Sequence, residues 1–229
     1  MPSSIIRGVS DIPTISRLYA TGRLSPPPTT ATPLRTPSAS LNSRISLLRA
    51  DITTLPVDAI VNAAKNSLRG GGGVDGAIHS AAGRALVQEC LTKYPGGCKT
   101  GDAVVTAGHN LPAKHVIHTV GPIYQSQAAS EPLLLSCYQT CLDAAVDTEC
   151  ATIAFSGIST GIYGYPSKAA AHVACRAVRD FLEGDHDEDS RIERVIFVTF
   201  LDKDVNAYDA VLPLYFPPDE GELPQSSTD

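Results

Sequence analysis

The sequence predicts an α/β domain with a largely parallel β-sheet covered by helices on both faces. Two observations carry this. From Arg44 onward, strand and helix candidates alternate. Several strand candidates are short, unbroken apolar runs, as expected where both faces of a sheet are covered. The strand candidates are Ile45–Arg49, Ala59–Asn62, Ala103–Thr106, His115–Thr119, Thr152–Phe155 and Val195–Phe200. Apolar residues at helical spacing predict helices over Val74–Lys93, Glu131–Glu149, Ser167–Leu182 and Val205–Leu214. There is no internal repeat.

The flanks read differently. Residues 1–24 hold a short helical extension, in which Ser10–Tyr19 has a cap candidate, an early Pro13, and Ile15, Leu18 and Tyr19 at helical spacing. Between Ser25 and Ser43, thirteen of nineteen residues are Pro, Ser or Thr, so 25–43 is expected to be a flexible linker with too little apolar surface to order itself. The folded domain is expected over 44–217. Glu183–Asp189 reads as a solvated acidic loop and 218–229 as a disordered tail. Residues 1–40 also carry four arginines against one acid, Asp11, which is transit-peptide composition and keeps a mitochondrial location open beside a cytoplasmic or nuclear one.

Composition narrows the function. At 229 residues with 43% hydrophobic content, the chain can bury a core without staples. A net charge of −6 argues against binding nucleic acid by phosphate neutralisation. No apolar run is long enough to cross a membrane. The six cysteines form no C-x-x-C and no zinc spacing, and read as reduced, buried thiols of an intracellular protein; no metal site is expected. With no sustained heptad or exposed apolar stripe, a monomer is expected.

In an open parallel sheet, ligands collect beyond the carboxyl ends of the strands. Two strand-to-helix loops there are glycine-rich. The first runs from Ala63 through Lys65 and Gly70-Gly71-Gly72-Gly73 to Val74-Asp75-Gly76; the second is Ser156-Gly157-Ile158-Ser159-Thr160-Gly161-Ile162-Tyr163-Gly164-Tyr165-Pro166. Free backbone N–H groups at a helix N-terminus favour an anion, and two such loops on one edge suit a diphosphate. The chain lacks G-x-x-x-x-G-K-[ST], which excludes a P-loop NTPase. Gly71-x-Gly73-x-x-Gly76 matches the dinucleotide fingerprint, but no acid follows at the expected distance, so a nicotinamide oxidoreductase is disfavoured.

Asp75 lies at the mouth of the first loop. It either polarises a water or sugar hydroxyl beyond the phosphates, or is a first-turn acid satisfying the helix dipole. His79, one turn later, either orients Asp75 or packs in the core. Asp51 either accepts from an exocyclic amine of a base or caps the turn Ile52-Thr53-Thr54.

Together these residues resemble the macrodomain family. The resemblance rests on Asp51-Ile52, Val57–Ala64, Gly70–His79, Cys98–Gly101, Leu111–Pro122 and Ile158–Pro166, covering about residues 44–217. It points to the MacroD-type branch of ADP-ribosyl hydrolases. That implies a three-layer α/β/α fold with a mixed, mostly parallel sheet, and a cleft for ADP-ribose. Carried over, Asp51 and Ile52 meet the adenine, with Phe200 or Leu201 lining its pocket. Gly72, Gly73 and Val74 approach the phosphates and distal ribose. Ser159, Thr160, Gly161, Ile162 and Tyr163 wrap the diphosphate. Asn62 joins the ligand-binding set, and Asp75 matches the catalytic acid, with His79 beside it. The implied reaction is hydrolysis of the ester between ADP-ribose and an Asp or Glu of a mono-ADP-ribosylated protein, and of O-acetyl-ADP-ribose, without metal or cofactor.

One position departs from the family. Where the family reads Asn-Ala-Ala-Asn, this chain reads Asn62-Ala63-Ala64-Lys65. The missing Asn contacts the distal ribose in that family. Lys65 has no acceptor, so it cannot replace an amide's donor and acceptor. It either pairs with Asp75, reaches a substrate phosphate, or displaces the ribose and leaves an ADP-ribose reader without turnover.

Overall fold

The computed structural model describes residues 6–184 and 191–224. Six strands form one sheet in the order β1-β6-β5-β2-β4-β3. They are β1 (Ile45–Arg49), β2 (Ala59–Ala63), β3 (Ala103–Ala107), β4 (His115–Thr119), β5 (Thr152–Phe155) and β6 (Arg194–Thr199). Every pairing is parallel except β3 with β4. The expected mixed, mostly parallel sheet is therefore present, and all six strand candidates formed within two residues of their expected bounds.

Period-two alternation sorts the strand residues into two cores. Ala59, Val61, Ile153, Phe155, Val195 and Phe197 point to one face, under α5 (Gln127–Asp147), α6 (Ser167–Glu183) and α7 (Asp202–Tyr215). Ile60, Ala154, Ile196 and Val198 point to the other, where α3 (Gly73–Ala82) and α4 (Arg84–Lys93) bring Ile78, Ala82 and Leu86. These are the three layers, helices–sheet–helices. The helix expected over Val74–Lys93 is two helices. Gly83 breaks it at φ 83°, a left-handed conformation, where a Cβ would lie 2.8 Å from Asn110 Nδ2. Helix α5 begins four residues before its expected start, because the Ser126 hydroxyl accepts from Ala129 N–H and caps it ahead of Pro132.

The flanks correct the sequence reading most. Helix α1 (Ile15–Ala20) is capped by Thr14. It buries Ile15, Leu18 and Tyr19 in the α5–α7 core, each contributing roughly 1.5–3 kcal/mol. Residues 25–43 are an ordered strap rather than a flexible linker. Leu34 N–H donates to Leu214 O at 2.7 Å, Arg35 pairs with Asp180, Arg179 donates to Thr36 O at 3.0 Å, and α2 (Ala39–Asn42) is capped by Ser38. Backbone bonds and ion pairs to α6 and α7 supply the order that apolar burial within the strap cannot. Residues 219–224 are ordered too, with the Asn42 amide donating to buried Glu222 at 2.7 Å. The rest of the expected tail, and 185–189 of the acidic loop, lie outside the described residues.

Candidate active site

Because β1, β2, β5 and β6 are parallel, their carboxyl ends share one edge, and the loops that follow them meet there. They enclose two hollows. One is walled by Lys65, Asp75, Ser159, Ile162 and Tyr163; the other by Asp51, Ile52, Thr160, Phe200 and Leu201. Gly73, Val74, Gly157 and Gly161 line both, so the hollows are one continuous cleft.

The first glycine-rich loop folds tightly at one end of the cleft. Gly73 opens α3 at φ 62°, in the left-handed region that glycine enters without strain. At Gly71 a Cβ would stand 2.8 Å from Lys65 Nζ and 3.1 Å from Asp75 Oδ2, so glycine lets both side chains close over the turn. Lys65 makes no ion pair among the described residues, so the pair with Asp75, one of its three readings, is not formed. Its ammonium nonetheless lines the cleft beside the carboxylate.

Asp75 is the first-turn acid that one of its two readings required. It sits in the first turn of α3, where the helix dipole favours a carboxylate, and it lines the cleft. It is buried, at 3% exposure. Oδ1 accepts from Asn62 Nδ2 at 2.8 Å and lies 3.5 Å from His79 Nε2. Oδ2 is buried with no partner among the described residues. Such an oxygen is costly to leave unpaired and is free to accept from a water or sugar hydroxyl. Burial lowers the His79 pKa more than the nearby carboxylate raises it, so the ring stays neutral near pH 7. His79 thus stands behind Asp75 rather than in the cleft wall. Asn62 is also behind the wall: it is fully buried and holds Asp75 instead of lining the cleft.

The second loop faces the first. Ser159 adopts φ 63°, rare for a residue with a side chain, and among the described residues its buried hydroxyl has no partner; the same is true of the Ser156 hydroxyl. Lys203 ties α7 to this loop by donating to Thr160 O. At the other end of the cleft, Asp51 Oδ1 accepts from Thr53 N–H at 2.9 Å, capping the turn as one reading required, while the residue still lines the hollow. Phe200 and Leu201 are 69% and 49% exposed apolar surfaces at the rim. Among the described residues, no group of three His, Cys, Asp or Glu could hold a metal.

A model of the macro domain matches residues 61–174. A macro domain-containing protein of Chlorobaculum tepidum is 51% identical over 172 residues, which are 75% of this chain and 96% of that protein. The chain belongs to the macro domain family.

Among other relatives of this macrodomain, ADP-ribose glycohydrolase MACROD1 of Rattus norvegicus is 51% identical over 77% of the chain and 67% of that protein. The crystal structure of a Trypanosoma brucei macrodomain in complex with ADP is 33% identical, with a TM-score of 0.74 over 92% of this chain and 78% of that one. The chain spans between 43% and 67% of the length of the first vertebrate relatives it matches.

Several cleft residues escaped the sequence reading. Ala77, Gly121 and Asp204 line the cleft, and Thr106, His118 and Cys90 lie beneath it. Gly121 follows a strand, which was a usable signal. Thr106, His118 and Cys90 come from three separate elements that only the sheet brings together.

Proposed function

We propose that this macrodomain binds ADP-ribose along the cleft and hydrolyses the ester joining it to Asp or Glu side chains of mono-ADP-ribosylated proteins. O-acetyl-ADP-ribose is a small ester of the same kind and is a second substrate. The reading is supported by the rat relative named ADP-ribose glycohydrolase and by the trypanosomal macrodomain in complex with ADP. The observation that carries it is the Asp75 carboxylate, with one oxygen held by Asn62 and the other buried, unpaired, and at the cleft wall.

In this arrangement the adenine packs on Phe200, Leu201 and Ile52, with Asp51 accepting from its amino group. The diphosphate lies between Gly72–Val74 and Ser159–Tyr163, whose backbone N–H groups donate to it. The distal ribose then reaches Asp75, Lys65 and Tyr163. Asp75 orients a water toward the ester. Addition of water cleaves the ester to a ribose hydroxyl and a free carboxylic acid, which loses its proton to solvent. Six cysteines, all free and buried, support an intracellular location, in the cytoplasm, the nucleus or both, with a mitochondrial one still open.

The test is release of ADP-ribose from a Glu-linked mono-ADP-ribosylated protein, run beside Asp75→Ala. Turnover that disappears in Asp75→Ala while ADP-ribose still binds is the expected result. Binding without any turnover in the parent chain overturns the hydrolase reading and leaves a non-hydrolysing reader.

A further inference from the structure

A chain of buried polar side chains runs behind Asp75. His118 on β4 is fully buried. Its Nδ1 lies 3.1 Å from Asn62 Nδ2 and its Nε2 lies 2.9 Å from Thr106 Oγ1. Strand pairing makes these contacts, since the β2–β4 register sets Asn62 directly opposite His118.

Donor and acceptor chemistry orients every member. A carboxylate only accepts, so the amide nitrogen of Asn62, not its oxygen, faces Asp75 Oδ1. The second N–H of that nitrogen points at His118 Nδ1. A donor must meet an acceptor there, so Nδ1 carries no proton. The ring proton therefore sits on Nε2 and is donated to Thr106. Burial, reinforced by His79 with its ring centroid 6.0 Å away, pushes the His118 pKa down to about 3, so the ring is neutral. The Cys90 sulfur, 3.8 Å from Nε2, is pushed up to about 11 by burial and remains a thiol.

We propose that His118, as the neutral Nε2–H tautomer between Thr106 and Asn62, is a positioning residue. It locks the Asn62 amide in the orientation that holds Asp75 Oδ1 and leaves Oδ2 without a partner among the described residues. A ring protonated on Nδ1 would oppose the Asn62 N–H donor, and the amide would turn its oxygen toward the carboxylate. The kinetic consequences rest on the hydrolase reading; the tautomer does not.

Two substitutions separate positioning from packing. His118→Asn keeps an oxygen where Nδ1 stands and loses the reach to Thr106. His118→Gln sets an amide near Nε2 and leaves nothing at Nδ1. Asn is the smaller and leaves the larger cavity. The expected result is that His118→Gln lowers kcat about 10–100-fold, with KM and ADP-ribose affinity within about twofold. His118→Asn keeps kcat within about threefold, despite a lower melting temperature. Equal losses, or a larger loss in His118→Asn that follows its stability, overturn the proposal.

The arrangement is read without turnover from the imidazole ¹⁵N resonances of the parent chain. An unprotonated Nδ1 with a protonated Nε2 is expected, and a protonated Nδ1 overturns the proposal even if both variants fail to fold. A parent chain that binds but does not hydrolyse sinks the hydrolase reading alone, and the ¹⁵N spectrum still decides the tautomer.

Discussion

The two ends of the cleft are built on different principles. At the distal end, Asp75 is buried at 3% exposure and is held from below by Asn62, with His118 and Thr106 behind it. At the end proposed for the adenine, Phe200 and Leu201 are exposed apolar surfaces, and among the described residues the Asp51 side chain is tied to its own turn. The difference separates tasks. Chemistry requires a carboxylate fixed to a fraction of an ångström in a low-dielectric setting, whereas binding a flat base requires only an apolar face and a reachable acceptor. Substitutions at one end are therefore expected to change kcat, and those at the other to change affinity.

The largest effect is expected from Asp75→Ala. Turnover of a Glu-linked substrate falls about 10²–10⁴-fold, while calorimetry shows ADP-ribose binding retained. If affinity collapses with it, the two ends are not separate. Phe200→Ala is the mirror experiment. Loss of a stacking surface worth about 1–3 kcal/mol weakens ADP-ribose binding about tenfold or more, and kcat at saturation is unchanged.

Lys65→Asn sharpens the distal end. It restores an amide donor and acceptor beside Asp75 and is expected to raise turnover, about tenfold, in the same release assay. A fall in rate instead makes Lys65 a working part of the site.

A further prediction, on stability rather than turnover, reads the buried network through pH. The His118 pKa lies near 3 in the folded chain against an ordinary 6.5, and burial lowers those of His79 and His172 as well. Between these values the unfolded chain holds protons that the folded chain does not, so stability rises with pH. It is lost as pH falls from about 6.5 toward 3, at about 1.4 kcal/mol per unit for His118 alone. Thermal melts from pH 7 to pH 4 measure this slope, and His118→Asn is expected to flatten it.

The strand pattern, the two glycine-rich loops and most of the cleft wall were legible in the chain, because each is a local signal. Apolar runs mark strands, and glycines before a helix mark a close-approach turn. Gly83 was legible in principle, but the apolar spacing on both sides of it continues at helical period and hides the break. The strap was misread for a different reason. Its composition argues correctly that it cannot order itself, and says nothing of the carbonyls and charges on α6 and α7 that order it.

The alternation of strands and helices, and with it a cleft at the carboxyl edge of a parallel sheet, follows from local patterns along the chain. So does the place of Asp75 at a helix N-terminus beside that cleft. The part each side chain takes there came from folding. Asn62 became a support rather than part of the wall, and His118 and Thr106 joined the site from beneath it, because strand register joins residues 56 and 12 positions apart. Hydrogen bonding depends on distances between such residues, and local sequence pattern carries no information about those distances.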